Sequence, residues 1–371
     1  MTRITRRPLR LLYHSPVSRR RSCRLFAYVV GLVCLLPGPP PRAAGPTVDR
    51  LDRFRELAHA GLTTAGAGAE PVHRVDRELY ELLDGEIVDS LASGGVFASE
   101  AFLQDRLDAF NEAWGGAALR VIKTGQVVVA AVRLADLTGA SSVRVYGGGR
   151  GGAALLAAIE RDASPALYPM PAAAGGGAQF AVLWEGPTSG RGTTPVRVDL
   201  VRQTGAAVET VWSTADLFGD DLETWSYALH GSELSLRYEL RYAGWVPGCE
   251  GQTEQEDLYR YVPARGTFAL AERRLHQAWH RQFHATVDRF FEALRAGDGR
   301  SLARLVPDPR VRAGLPAAGL EAEAACDAVQ GASPSAVSVP AALRPTRRPW
   351  ALTFRRHGSG WRLVGAGPVI Q

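Results

Sequence analysis

Three histidines recur at steps of four, His276, His280 and His284, with Glu272 one step before them and Asp288 one step after. On a helix, residues four apart lie side by side, and two imidazole nitrogens so placed can share a transition-metal ion. At 3.6 residues per turn the three rings drift through about 80°, so all three would hardly reach one ion. Leu275, Trp279, Phe283, Val287 and Phe291 span an arc that overlaps them. The competing reading is a half-buried helix whose histidines satisfy hydrogen bonds at the edge of a core, and a metal would still need a ligand from elsewhere in the chain.

A second candidate is the segment 244–257, in which Trp245 precedes Glu250, Glu254, Glu256 and Asp257. A tryptophan beside clustered acids can form a recognition surface for a protein or small-molecule ligand, or hold a hard cation such as calcium through carboxylates. The spacing fits no calcium loop, so the plain alternative is a solvated acidic loop. Asp216, Asp220, Asp221 and Glu223 form a second acidic turn of the same kind. Residues 147–152 satisfy GxGxxG, but a dinucleotide fingerprint needs a βαβ unit and an acid about 20 residues on. Asp162 is too close, and a hairpin connection is expected instead. The chain has no GxSxG, HExxH or SxxK motif, which leaves nucleophilic catalysis without a nominated residue.

Of the four cysteines, Cys23 and Cys34 fall in the first 45 residues, leaving Cys249 and Cys326. In an oxidising compartment such a pair predicts a disulfide joining the middle of the chain to its C-terminal part. The absence of CxxC argues against zinc ribbons, thioredoxin-like redox chemistry and covalent haem.

These residues must be held by elements legible in the hydrophobic pattern. Residues 46–116 read as helical, with Phe54, Leu57 and Ala58, then Leu79, Leu82 and Leu83, then Leu103, Leu107 and Phe110 at helical spacing. Residues 117–268 turn to β-branched runs broken by Gly and Pro, the mark of short antiparallel strands, accommodated by a sandwich or by propeller-like blades. The stretch 165–177 reads as loop. Residues 269–296 contain neither Pro nor Gly and predict one long helix, which opens a small α+β domain over 269–371. The fold class expected is therefore α+β: N-terminal helices, a central antiparallel β region and a small C-terminal α+β domain.

A helix carrying Phe290, Phe291, Ala293 and Leu294, then Gly297 and Asp298, then a hairpin ending Gly360-Trp361-Arg362-Leu363, resembles the ketosteroid-isomerase-like α+β cone over about 280–371. Enzymatic members of that family use a tyrosine and a protonated aspartate as an oxyanion hole. No tyrosine follows Tyr261 here, so the resemblance implies a fold and not that chemistry.

With 371 residues, 46% of them apolar and 22% charged, the chain is long enough for two or three cores, which excludes disorder and collagen-like repeats. Its formal charge of +5 is unevenly placed. Residues 1–45 hold nine arginines and no acid, so residues 46–371 carry 34 basic against 38 acidic groups, a net of −4. That distribution removes the argument for a nucleic-acid partner. The basic stretch is followed by twelve uncharged residues, 25–36, and then a proline-rich end, the order of a secretory signal. As a helix this run spans about 18 Å, short of a hydrocarbon core of roughly 30 Å. Export to the periplasm, cell surface or medium is expected, with retention on the membrane by an uncleaved signal segment as the alternative. Arginine outnumbers lysine, of which Lys123 is the sole example, a bias that points to a GC-rich bacterial genome.

The expected function is a non-catalytic binding or interaction module without a cofactor, using the Trp245/Cys249 loop or the groove beside the Trp279 helix. The alternatives are an exported hydrolase with dispersed catalytic residues and a metal-binding protein using the histidine stripe.

Overall fold

The computed structural model describes residues 49–64, 70–114, 118–133, 141–149, 151–220, 222–317 and 319–369; the signal read over 1–45 lies outside them. Three helices, α1 (Arg50–Thr64), α2 (Glu70–Ser93) and α3 (Glu100–Trp114), cover one face of a four-stranded antiparallel sheet of β1 (Ala118–Thr124), β2 (Val127–Arg133), β3 (Ser141–Gly149) and β4 (Gly152–Arg161). The run Val-Val-Val-Ala-Ala-Val of β2 explains the layering. Side chains alternate across a strand, and both faces of this one are buried: Val128, Ala130 and Val132 meet Leu83, Leu107 and Phe110 of the helices, while Val127 and Val129 face a second sheet. The glycine-rich motif is the β3–β4 hairpin, with Gly149 opposite Gly152.

The second sheet has eight antiparallel strands: β5 (Ser164–Met170), β6 (Ala178–Glu185), β7 (Thr194–Thr204), β8 (Ala207–Ser213), β9 (Glu223–His230), β10 (Glu233–Glu239), β11 (Glu254–Val262) and β12 (Thr267–His276). Its order is β12-β11-β10-β9-β7-β6-β5, with β8 alongside β7. Phe180, Val182, Trp184 and Val201 pack on Val127, Val129, Val143 and Val145 of the first sheet. The two form a sandwich, and among the described residues the strands close neither a propeller nor a barrel. Two expectations are corrected here. Residues 164–170 are the edge strand β5 rather than loop, and residues 267–276 are β12 rather than the start of a helix, so the strand region runs past the expected boundary at 268 to His276.

The long helix, α5 (Ala278–Ala296), starts after a residue in the left-handed region, Gln277 at φ 52°, and stops at Gly297, whose φ of 63° closes the last turn. The short helices α6 (Gly299–Leu305) and α7 (Pro309–Ala313) follow, then a five-stranded antiparallel sheet of β13 (Leu320–Ala322), β14 (Ala328–Val329), β15 (Ala336–Leu343), β16 (Arg348–His357) and β17 (Gly360–Pro368). Asp298 caps α6 by accepting from the backbone N–H groups of Arg300 and Ser301. Phe283 and Phe290 of α5 face Phe354, Trp361 and Val339 of this sheet. Cys249 and Cys326 are joined, S–S 2.05 Å, tying the loop after β10 to the segment between β13 and β14. Among the described residues no helix is long and apolar enough to cross a membrane.

Candidate functional site

The segment after β10 begins as the loop expected and does not remain one. Only 240–253 is loop; Glu254, Glu256 and Asp257 belong to β11. The loop is held at several points. Gln252 receives the N–H of Val246 on its side-chain oxygen at 2.8 Å and donates to the carbonyls of Val246 and Cys249 at 2.6 and 3.1 Å. Thr253 joins the loop to α5, donating to the Gln277 carbonyl at 2.9 Å and accepting from the Arg281 N–H at 3.1 Å. Together with the disulfide these bonds fix the position of Trp245.

Two adjoining depressions flank the loop. One, of about 540 Å³, is lined by Arg191, Trp225, Glu239, Glu250 and Glu254. The other, of about 630 Å³, is lined by Phe218, Tyr238, Arg241, Trp245 and Pro247 together with the same Arg191 and Glu239. An ion pair at 2.7 Å between Arg191 and Glu239 forms the bar between them. The guanidinium of Arg191 lies 5.7 Å from the ring centre of Trp225, and that of Arg241 lies 5.3 Å from Trp245. Of the five residues expected to bind, Glu250 and Glu254 line the first depression and Trp245 the adjoining one, with Glu254 paired to Arg237 at 2.5 Å.

The other two are not there. The alternation of β11 puts Glu256 on its outer face, where it pairs with His276 at 2.8 Å. The hydrogen bond from His276 is the main cause holding the Glu256 carboxyl below its ordinary pKa. Asp257 points inward and is completely buried. It takes two hydrogen bonds from Arg273, at 2.7 and 2.8 Å, and others from Tyr238 and Gln255 at 3.0 Å. It belongs to the interior, not to a binding surface.

The histidine stripe is also redrawn. His276 ends β12, with its imidazole on Glu256, and does not join the other two. His280 and His284 stand on the first two turns of α5, buried to 3% and 9% exposure. Their Nε2 atoms point at one oxygen of Asp327, at 3.0 and 2.8 Å, and their ring centres are 4.6 Å apart. The Tyr242 hydroxyl lies 2.5 Å from Nδ1 of His280, and its oxygen accepts the N–H of Thr253 at 3.2 Å. His284 is backed by Gly244, at φ 85°, where an added Cβ would stand 2.1 Å from Nδ1. Burial alone would push the Asp327 carboxyl up in pKa, but the hydrogen bonds from His280 and His284 more than offset this and hold it below its ordinary value. Burial pushes the Tyr242 phenol upward.

Sequence spacing identified His280 and His284 but missed Tyr242, Gly244 and Asp327. Asp327 lies 43 residues beyond His284, and its one signal was adjacency to Cys326, whose disulfide brings it back to the loop that also carries Tyr242 and Gly244. The chain matches no protein-family model, and no curated protein matches it in sequence.

Proposed function

We propose that the protein is an exported, non-catalytic binding module that takes a polypeptide segment of a partner into the groove between Trp225 and Trp245. The observation that carries this reading is the pre-positioning of Trp245 by the disulfide and the Gln252 bonds. An anchor already held in place loses little conformational freedom on binding. Tryptophan and arginine, paired here twice, are the side chains most enriched among residues that dominate protein–protein affinity. The two depressions, on either side of the Arg191–Glu239 pair, together hold both charge signs, which suits an extended chain with alternating polar and apolar groups. The charge-segregated N-terminal segment supports export, and a disulfide fits an oxidising compartment. The C-terminal segment, read as a cone of the ketosteroid-isomerase-like kind, serves in this proposal as the buttress of the loop. For a hydrolase, the hydroxyl beside His280 is a phenol whose pKa burial raises, the opposite of an activated nucleophile.

Selection of a randomised peptide library on the immobilised full chain tests the proposal. Enriched peptides should bind Trp245→Ala and Arg191→Ala at least about tenfold more weakly, and Val364→Ala, which alters an exposed side chain of β17, as tightly as the parent. No enrichment, or peptides indifferent to both groove substitutions, would overturn it.

A further inference from the structure

We propose that His280, His284 and Asp327 form a binding site for a divalent transition-metal ion, zinc being the natural probe. The first argument is a contrast within the molecule. Among the described residues the other deeply buried acids are neutralised by guanidinium groups: Asp199 by Arg197 and Arg161, and Asp257 by Arg273. Asp327 is as buried, with 4% of its side chain exposed, and among the described residues its ion-pairing partners are the two imidazoles and no guanidinium. A buried carboxylate needs a positive partner. A divalent ion between the three donors supplies it.

The donor set fits that ion. Imidazole nitrogen suits zinc, copper and nickel, and a single carboxylate completes the sets used by zinc proteins. The three donor atoms lie within 4.8 Å of one another. A tetrahedral ion with bonds of 2.0–2.1 Å asks for edges of roughly 3.3 Å, within reach of small ring rotations once the Nε2 protons leave. Three protein ligands leave a fourth position for water.

The surroundings fit as well. Metal-bound histidines usually donate their other ring N–H to an oxygen that fixes the ring. For His280 the acceptor is Tyr242 Oη, in contact with Nδ1 and itself steadied by Thr253. For His284 the backbone at Gly244 limits how far the ring can swing, since even a methyl group there would overlap Nδ1. Asp327 is fixed through its neighbour Cys326. Tyr242 and Thr253 are therefore positioning residues.

The experiment is a competition titration of the chelator-treated full chain with Zn²⁺ against a chromophoric chelator, together with X-ray absorption of the zinc-loaded protein. One equivalent should bind, with a shell containing two imidazoles. His284→Ala and Asp327→Asn should each weaken binding at least about 100-fold, and Tyr242→Phe about tenfold, while His276→Ala leaves it unchanged. Co²⁺ in place of Zn²⁺ should give the visible absorption of a four-coordinate site. Failure to bind zinc would overturn the proposal, as would binding that survives both His284→Ala and Asp327→Asn. Should those variants not fold, a loaded parent whose shell lacks two imidazoles would overturn it equally.

Discussion

Asp257 and Asp327 are buried acids stabilised in different ways, and the difference has measurable consequences. At Asp257 burial would raise the pKa, but the bonds from Arg273, Tyr238 and Gln255 prevail and lower it. A carboxyl with a depressed native pKa contributes stability that is fully present above its unfolded value, near 3.9, and is lost as the pH falls through the native value. Asp257→Asn should therefore cost roughly 2–3 kcal/mol at neutral pH, less than the 3–5 of a fully enclosed pair because Arg273 is half exposed. The gap between parent and variant in urea unfolding should narrow below about pH 4; a gap constant from pH 7 to pH 2 would refute this account. In the sequence Asp257 is one of four acids in eight residues. What assigns it inward is the period-two alternation of a strand that begins at Glu254, and that beginning is set by pairing with β10 and β12 rather than by local composition.

At the scale of elements, α5 connects the C-terminal core to the histidine pair. Phe283 is fully buried, its ring centre 5.0 Å from that of Trp361 and 5.7 Å from that of Phe354, and it also touches the His284 ring at 5.2 Å. Phe283→Ala should lower the unfolding free energy by about 3–5 kcal/mol, and a loss below 1 kcal/mol would show that α5 does not rest on the sheet as described. The helix was legible from 278 onward because its apolar arc has period 3.6 and Gly297 ends it. The residues before it were not, since Ala269, Leu270, Ala271, Glu272, Arg273 and Arg274 are all acceptable helix formers. Pairing with β11 overrides that preference, a tertiary effect that local sequence does not carry. Strand β5 was hidden by Pro165 and Pro169, which read as loop and are tolerated because the strand lies at the sheet's edge.

For the molecule as a whole, a disulfide adds a second covalent link, beyond the backbone at Gln277, between the strand sandwich and the C-terminal α+β part. The pairing of Cys249 with Cys326 was readable from cysteine arithmetic, while the convergence of Tyr242, Gly244 and Asp327 around it was not, because it depends on two chain segments meeting. Replacing both cysteines by serine should cost about 4–5 kcal/mol in the entropic account of a 77-residue loop. Thermal unfolding of the double variant beside the oxidised parent checks this, and coincident melting curves would refute it.

The ends of the eight-stranded sheet set a limit on how any partner approaches. On the outer strand β12 stand Glu272, Arg273 and Arg274, whose charges oppose the stacking of another chain, and β5 has two prolines without N–H groups to offer. Recruitment by strand addition, the simplest way for an extended peptide to join a sheet, is thus opposed at β5 and β12. A partner that meets the sheet at these two strands is therefore read through side chains, so its composition should matter more there than its ability to adopt a β conformation.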